Sequence, residues 1–394
     1  MGTASTRIRP HRVALLGVVA FSAVLESVRL GQNGWGNQYY SAAVRSMLGS
    51  LHNFFFVSSD PGGLITVDKP PLGLWLQTLS AAVFGFHPLS LLVPEVVCGV
   101  LAVVVLYFVV APRAGVWAGV AAAATLTVFP SFVASARDNN LDALLILLMS
   151  LSCLTGLRAI ERGSWRWLAA TAVLVGLAFD TKTLAAFLVL PGLAVGWLAC
   201  APASPRRRVG MLAGATAVLA VVSLVWVVAV QLVPSGDRPY VGGTSNNSEL
   251  TLSFGHNGLG RVLGERNAPG HIVHAASLAG RRVELTAAQV ASGPQRQGGS
   301  ISAVGAAGPG RLFDHEVGGQ GAWMLPLALA GLVALIAVVW RRRDDRRIGL
   351  LLVGGGWFAC EVVVLSIATG IVHPYYVSAL GPGVAIMVGA GAAA

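Results

Sequence analysis

Apolar segments of membrane length follow one another along almost the whole chain, with only short polar stretches between most of them. A helix needs about 20 mostly apolar residues to cross the hydrocarbon core of a bilayer. Charged residues make up only 11% of the 394 residues, and the mean hydropathy is +0.71, whereas a soluble domain carries about 25% charged residues. The sequence therefore predicts an all-α polytopic membrane protein with about ten transmembrane helices. The predicted spans are residues 13–30, 91–111, 115–134, 140–157, 167–181, 183–200, 210–232, 323–340, 348–370 and 376–394. The fifth and sixth spans are short and are joined only by the region of Thr181 and Lys182, which predicts a tight hairpin.

Basic residues cluster in the short loops between the predicted spans. If the N-terminus starts in the cytoplasm, the alternation of the spans puts these clusters on the cytoplasmic side, as the positive-inside rule requires. The clusters are Arg7 to Arg12, Arg113, Arg158 to Arg166, Arg206 to Arg208 and Arg341 to Arg347. The formal net charge of +10 is therefore explained by membrane topology and not by nucleic-acid binding. The prediction is a multi-pass protein of the plasma membrane with a cytoplasmic N-terminus.

Two longer segments, residues 31–90 and 233–322, face outward in this topology. The first contains Leu72–Phe84, which is apolar but too short to span a membrane and follows two prolines. This pattern predicts a helix that lies in the membrane interface. Residues 1–394 are expected to form one membrane domain, in which the second outer segment precedes the eighth span. The last span runs to the end of the chain without a polar stop, and we expect the natural protein to continue beyond it.

The polar residues that are unusual for such a chain all fall on the outward side of the predicted spans. Charges at membrane depth are costly and are usually kept for function. Four separate groups on one face therefore suggest one shared site. The groups are Asp60, Asp68 and Lys69; Arg137, Asp138, Asn139, Asn140 and Asp142; Asp180 and Lys182; and His373, Tyr375 and Tyr376.

Each group also has a purely structural interpretation. Asp68 and Lys69 are compatible with a solvated turn that holds a surface ion pair. Asp142 is compatible with the first turn of a helix, where the helix dipole favours an acid, and Lys182 with a side chain that extends from a helix end towards water. The aromatic residues of the fourth group fit an interfacial belt. The four cysteines lack the close spacing of a zinc or redox motif.

Five motifs occur in the same order as in a known family of membrane enzymes. They are Asp68-Lys69-Pro70-Pro71, Arg137-Asp138-Asn139-Asn140-Leu141-Asp142, Phe179-Asp180-Thr181-Lys182, Arg238-Pro239-Tyr240 and His373-Pro374-Tyr375-Tyr376. Together with Asn37-Gln38-Tyr39-Tyr40 in the first outer segment, they resemble glycosyltransferase family 39, whose members have the C-type membrane fold. This family includes protein O-mannosyltransferases and the lipid A aminoarabinose transferase, and a bacterial mannosyltransferase-like branch fits best.

One position departs from the family pattern. Members usually carry an Asp-Glu pair early in the first outer loop, and Gly36 and Asn37 occupy that place here. The resemblance therefore implies that another carboxylate of the same loop, Asp60 or Asp68, acts as the base. The departure also supports one alternative, a catalytically degenerate transferase that serves as a scaffold. A secondary transporter is the second alternative, although such proteins usually show repeated halves and broken helices near the midplane.

The resemblance implies a glycosyltransferase that moves a mannose-like hexose or a pentose from a polyprenyl-phosphate donor to an acceptor hydroxyl on the outer face, by inverting displacement. The acceptor is a protein, a lipid or a glycan. One carboxylate removes the proton of the acceptor hydroxyl, and cations stabilise the charge of the leaving phosphate. A divalent metal is compatible with the acid and His content, but no ligand spacing indicates one, and no other cofactor is expected. The expected site residues are Asp60 and Asp68 as candidate bases; Lys69, Lys182 and Arg137 for the donor phosphate; and Asn37, Tyr40, Asn140, Asp142, His373, Tyr375 and Tyr376 for the substrate.

Overall fold

Helices make up almost all of the regular structure. A computed structural model describes residues 9–264, 276–278, 281–283, 304–342, 344–370 and 372–394, so the second outer segment is covered only in part. Inside a bilayer, backbone N–H and C=O groups must be satisfied within their own segment, as they are in an α-helix. The predicted all-α polytopic fold is confirmed. The one sheet within the described residues is a short antiparallel pair of strands, β1 (Ala276–Leu278) and β2 (Arg281–Val283).

The helices follow the apolar segments of the sequence. In chain order the α-helices are α1 (Pro10–Ser27), α2 (Gln38–Met47), α3 (Leu51–Phe56), α4 (Leu72–Phe84), α5 (Pro88–Ala114), α6 (Val116–Thr127), α7 (Pro130–Ala136), α8 (Asp142–Arg162), α9 (Trp165–Lys182), α10 (Leu190–Cys200), α11 (Pro205–Leu232), α12 (Gly260–Leu263), α13 (His315–Gly318), α14 (Leu325–Arg342), α15 (Asp345–Leu350), α16 (Gly356–Ile367) and α17 (Gly381–Gly391). Short 3₁₀-helices cover Leu30–Asn33, Thr183–Val189, Arg311–Phe313, Ala322–Met324 and Pro374–Leu380, and π-helical stretches cover Thr251–Leu259 and Leu351–Gly355. α15, the second π-helical stretch and α16 form one membrane-length helix.

The count of about ten transmembrane helices is not confirmed. Within the described residues, seven helices are long and apolar enough to cross a membrane, or eight if the bent pair of α6 and α7 is one span. These two helices meet at 67°, because Pro130 starts a new helix and the residue before it is extended. The predicted last span, residues 376–394, is instead a 3₁₀-helix followed by the 11-residue α17.

α9 and α10 form the tight hairpin that the sequence predicts. Both helices pack against α8 at Gly156, where an added β-carbon would overlap Leu193 of α10 and lie 3.5 Å from Thr171 of α9. If α9 and α10 formed one straight helix, Thr171 and Leu193 would be about 33 Å apart, at 1.5 Å of rise per residue. Since both lie beside Gly156, the chain must reverse between them. The chain reverses at Thr183, which has a positive φ of 49°. Lys182 therefore lies at the tip of the hairpin.

The first outer segment is held by two indole groups, one from its own helix α4 and one from α11 of the helix bundle. Its helix α4 has the predicted bounds, Leu72–Phe84. Trp75 of α4 donates its indole N–H to the carbonyl of Phe54 in α3, at 2.7 Å. Trp226 of α11 donates in the same way to the carbonyl of Phe55, at 2.9 Å. The loop between α3 and α4, which carries the candidate carboxylates, is therefore held at both ends.

The second outer segment packs on the first. The N–H of Thr66 donates to the carbonyl of Tyr240 at 2.9 Å, and the N–H of Gly242 donates to the Thr66 hydroxyl at 3.0 Å. Further along, the first π-helical stretch contacts the tip of the hairpin, where the Thr183 hydroxyl donates to the carbonyl of Asn257 at 3.0 Å. Both outer segments and the hairpin tip therefore meet at one end of the bundle.

Close packing of α14 on α17 depends on Gly331. A β-carbon at this position would overlap the carbonyl group of Met387, whereas Gly17 of α1 has nothing within 4 Å of such an atom. We expect Gly331→Leu to lower the thermal unfolding midpoint of the detergent-solubilised protein, because overpacking typically costs about 1–3 kcal/mol. Gly17→Leu makes the same change in a helix without the overlap and is the control. Equal midpoints for the two variants would contradict this packing.

Candidate functional site

Two adjoining cavities lie at the end of the bundle where α8 begins and α9 ends. The polar cleft has a volume of about 620 Å³ and is lined mostly by polar and aromatic side chains. The apolar groove has a volume of about 300 Å³ and is lined mainly by aliphatic side chains of the hairpin tip and α16. Lys69, Arg261 and Tyr376 line both cavities. The cleft and the groove therefore meet at two cations and a phenol ring.

Most of the expected site residues line these cavities. The polar cleft is lined by Asn37, Tyr40, Asp68, Lys69, Asn140, His373, Tyr375 and Tyr376. Asp142 and Lys182 lie in the wall of the apolar groove. The structure thus brings together residues from distant parts of the sequence. Their individual roles stay predictions.

Asp68 and Lys69 form a largely buried ion pair. The Lys69 ammonium lies 2.6 Å from Asp68 Oδ2, and only 10% of the Lys69 side chain is exposed. The N–H of Val67 donates to the Val57 carbonyl at 2.9 Å and fixes the start of this loop. Burial has the largest single effect and raises the pKa of Asp68, but the charge and hydrogen bond of Lys69, together with the charges of His256 and Arg261, outweigh burial and lower that pKa below its usual range. Burial also lowers the pKa of Lys69, against the opposing effect of Asp68.

Lys182 is directed towards Asp142. Its ammonium lies 2.5 Å from Asp142 Oδ1, and the exposed fractions of the two side chains are 12% and 1%. The ammonium also lies over the rings of Tyr375 and Tyr376, 5.0 and 4.5 Å from their centroids. Asp142 is the first residue of α8 and Lys182 the last of α9. One cation therefore joins two helix ends to the aromatic residues after α16.

The place of the missing acidic pair is filled by contacts with the loop before α8. The N–H of Asn37 donates to Asp138 Oδ1 at 3.0 Å and to Asn139 Oδ1 at 2.6 Å. The Asn37 side-chain amide donates to Asn140 Oδ1 at 3.1 Å. Gly36 has φ of +58°, and a β-carbon there would overlap the Asp138 carboxylate. Positions 36 and 37 are therefore suited to neutral residues, because an acidic side chain at either position would bring a second carboxylate close to that of Asp138.

Asp60 and Arg137 line neither cavity. Asp60 Oδ2 accepts hydrogen bonds from the N–H groups of Leu64 and Ile65, both at 2.9 Å, and so closes its own turn. Arg137 donates to two carbonyls at the C-terminal end of α1, at 2.7 and 2.8 Å, where basic side chains often satisfy the last carbonyl groups of a helix. The predicted roles of base for Asp60 and phosphate ligand for Arg137 do not fit these positions.

The second outer segment supplies residues that sequence reasoning did not select. The Asn257 amide donates to the Asp68 carbonyl at 2.6 Å, and Arg261 Nη2 lies 3.3 Å from Asn257 Oδ1. Arg261 Nη1 is buried and has no hydrogen-bond partner among the described residues. His256 also lines the polar cleft. The sequence did carry a signal, since these three polar residues lie within six positions of one another, but the Gly-rich composition around them indicated only a loop.

The described residues offer no support for a metal site. Among them, no three His, Cys, Asp or Glu side chains are grouped so that they could hold a metal ion. His373 stacks on Tyr375 with ring centroids 5.2 Å apart. Burial, and then the charge of Arg261, lowers the pKa of His373, which favours the neutral, hydrogen-bonding form of its ring.

Comparisons with known proteins identify relatives of this chain. Residues 68–226 match the family model described as "Dolichyl-phosphate-mannose-protein mannosyltransferase". The chain is 34% identical to "Putative mannosyltransferase YycA" of Bacillus subtilis (strain 168) and 32% identical to YkcB of the same strain, which has the same description. Each alignment covers 96% of this chain, but only 63% of YycA and 61% of YkcB, so the chain spans less than two thirds of the length of these relatives. The resemblance predicted from the sequence is confirmed.

Solved structures share the fold. The TM-score is 0.62 with ArnT from Cupriavidus metallidurans bound to undecaprenyl phosphate, at 18% identity over 96% of this chain and 59% of ArnT. It is 0.61 with the Archaeoglobus fulgidus oligosaccharyltransferase in the apo form, at 15% identity over 98% of this chain and 51% of the other. At these identities the likeness shows the fold alone.

The ion pair of Asp142 and Lys182 generates a stability prediction. Lys182→Met leaves a buried carboxylate without its cation, and breaking a buried pair typically costs about 3–5 kcal/mol. We expect a marked fall in the thermal unfolding midpoint, and we expect the added change Asp142→Asn to recover much of it. A double-mutant cycle measures this coupling. Strictly additive effects of the two substitutions would show that the pair contributes no interaction energy.

Proposed function

Because the chain is related to the membrane glycosyltransferases of family 39 and shares their fold, we propose that it transfers a sugar from a polyprenyl-phosphate donor to an acceptor hydroxyl, with inversion at the anomeric carbon. The observation that carries this proposal is the junction of the apolar groove with the polar cleft at Lys69 and Arg261. The proposed donor has three parts in the matching order: an apolar tail, an anionic phosphate and a polar sugar.

The apolar groove suits the tail of the lipid carrier. Its walls include Leu184, Leu188, Val364 and Leu365, and apolar surface that is buried against them contributes about 25 cal/mol per Å². ArnT, which has the same fold, was solved with undecaprenyl phosphate bound. We propose that a lipid carrier of the same chemical class binds in this groove.

Three cations are placed to hold the donor phosphate. Lys69 and Arg261 line both cavities, and Lys182 lines the groove beside them. The unpartnered N–H of Arg261 Nη1 would be satisfied by an anionic oxygen. As the sugar leaves its carrier, negative charge grows on the phosphate, and cations already fixed in position stabilise that charge.

The polar cleft suits a sugar ring. Tyr375 and Tyr376 meet edge to face with centroids 5.0 Å apart, and Asn140 and His373 add hydrogen-bonding groups. A sugar has apolar C–H faces and a rim of hydroxyls, and tyrosine offers an apolar ring with a polar tip. The proposed sugar is a mannose-like hexose or a pentose. The acceptor hydroxyl, carried by a protein, a lipid or a glycan, reaches the same cleft.

Asp68 is the proposed base. It lines the cleft, whereas the oxygens of Asp138 already accept hydrogen bonds from two backbone N–H groups and from the Asn140 amide. In the proposed step, the acceptor oxygen bonds to the anomeric carbon while the bond from that carbon to the phosphate oxygen breaks, and Asp68 takes the hydroxyl proton. A phosphate bound to Lys69 weakens the ion pair that lowers the pKa of Asp68. Asp68 is therefore most basic when the donor is present.

The cleft is proposed to face outward, with the N-terminus in the cytoplasm. α8 begins with Asp142 beside the cleft and ends with Arg162, which belongs to one of the basic clusters. The cleft and this cluster therefore lie at opposite ends of one membrane-length helix, and the positive-inside rule puts the cleft on the outer side. Since nucleotide sugars are cytoplasmic, an outward site requires a sugar that is carried by a lipid.

Asp68→Asn removes the base and preserves the shape of the side chain. We expect transfer from a labelled polyprenyl-phosphate sugar to fall by about 10²–10⁴-fold, the usual contribution of general-base catalysis, with normal membrane insertion. Asp60→Asn is the control, because Asp60 lines neither cavity, and we expect it to retain most of the activity. Full activity of Asp68→Asn would refute the base assignment. A wild-type chain that consumes no donor would favour the scaffold alternative.

Single cysteines test the orientation of the cleft. Asn246 is exposed in the second outer segment, and Arg346 is exposed in the first turn of α15, within a basic cluster. In a variant without the four native cysteines, we expect a membrane-impermeant maleimide to label Asn246→Cys in intact cells and Arg346→Cys only after permeabilisation. The reverse pattern would put the cleft on the cytoplasmic side.

A further inference from the structure

The side chain of Asn257 joins the two cations at the junction of the cavities. Its Oδ1 lies 3.3 Å from Lys69 Nζ and 3.3 Å from Arg261 Nη2. Its Nδ2 donates to the Asp68 carbonyl at 2.6 Å, and its backbone carbonyl accepts the Thr183 hydroxyl. One neutral residue therefore contacts the first outer segment, the hairpin tip and the next turn of its own segment.

The contacts set the orientation of this amide. The oxygen faces two cations and the NH₂ group faces a carbonyl, and the reverse orientation would put donors against cations and an oxygen against an oxygen. Both cation contacts are long, since hydrogen bonds of a charged N–H to an anionic oxygen are usually about 2.7–2.9 Å. The amide oxygen is thus shared between Lys69 and Arg261 and binds neither tightly. An anionic oxygen in the same place would bind both more strongly.

We propose that Asn257 is a placeholder for the donor phosphate: its amide oxygen holds Lys69 and Arg261 in position in the empty site, and a phosphate oxygen displaces it when the donor binds. This role rests on the proposed function. Asp68 also holds Lys69, and His256 Nε2 lies 3.2 Å from Arg261 Nη2, but the Asn257 oxygen is the acceptor that the two cations share. Without this shared acceptor, the two like charges would repel each other across the junction. A carboxylate would hold them too firmly, because the phosphate would then have to break two ion pairs. A neutral amide avoids both outcomes.

The test compares Asn257→Asp with Asn257→Leu, two side chains with the same number of heavy atoms and the same branching. The dissociation constant of a short-chain polyprenyl phosphate is measured for the full chain in detergent micelles, together with the thermal unfolding midpoint without ligand. Asn246→Asp is the matched control, because it adds the same charge in the same outer segment at an exposed position. In transfer assays, the donor KM and kcat are measured for each variant.

We expect Asn257→Asp to weaken polyprenyl phosphate binding by about 10- to 100-fold, as a few kcal/mol of like-charge competition requires, with KM raised more than kcat is lowered. Asn257→Leu should bind the lipid phosphate more tightly than Asn257→Asp, yet unfold at a lower temperature without ligand. A purely structural role gives the opposite order, since Asp keeps the oxygen between the cations and Leu does not. A dissociation constant of Asn257→Asp within about threefold of the wild-type value would overturn the proposal. So would weaker binding of polyprenyl phosphate by Asn257→Leu than by Asn257→Asp.

Two further variants separate this proposal from the proposed function. Lys69→Ala and Arg261→Ala remove the cations themselves. If both bind polyprenyl phosphate as the wild type does, the donor site is wrong and the placeholder falls with it. If both lose binding while Asn257→Asp does not, the donor site stands and only the role of Asn257 is refuted.

Discussion

The buried ion pair of Asp142 and Lys182 fixes the geometry on which both cavities depend. It joins the first residue of α8 to the last residue of α9, at the point where Thr183 reverses the chain. The same ammonium lies over Tyr375 and Tyr376, so the aromatic wall of the polar cleft is held by the cation that lines the apolar groove. Two charges at this depth are costly to desolvate. Each charge is therefore tolerable only while the other is in place, and this requirement ties three parts of the chain together.

The sequence predicted the fold and the convergence of polar residues, because both follow from hydrophobicity and from the placement of charge. It predicted α4 to the residue and the hairpin of α9 and α10. It did not predict the bend at Pro130, because the spans were assigned from hydropathy and length, and these stay the same when a proline interrupts an apolar segment. It also could not separate Asp60 from Asp68. The local backbone decides that Asp60 closes its own turn, while Asp68 is held at the cleft by Asn257, which is far away in sequence.

The acidic pair expected from the resemblance is absent at Gly36 and Asn37, and the carboxylate of Asp138 lies against this position. The carboxylate of Asp138 accepts the N–H of Asn37, and the positive φ of Gly36 allows this approach. A carboxylate is therefore still present at this wall of the cleft, although it comes from the loop before α8. Its hydrogen bonds to backbone N–H groups make it a fixed structural group, and the proton acceptor must be found elsewhere. Asp68 is the cleft carboxylate whose partner is a side chain, Lys69, rather than a backbone N–H group.

The pairing of Asp68 with Lys69 also explains how the proposed reaction keeps its charge balance. A polyprenyl-phosphate sugar is a phosphodiester with one negative charge, and the released monophosphate carries about 1.5 to 2 negative charges at pH 7. In the proposed step, the proton of the acceptor hydroxyl neutralises Asp68 as this second charge appears on the phosphate. Lys69 then loses its carboxylate partner at the moment when the phosphate needs a further cation. The net charge of the site is therefore the same before and after transfer. The Lys69 ammonium pairs with Asp68 before the step and with the released phosphate after it, so neither the ammonium nor the new phosphate charge is left unpaired.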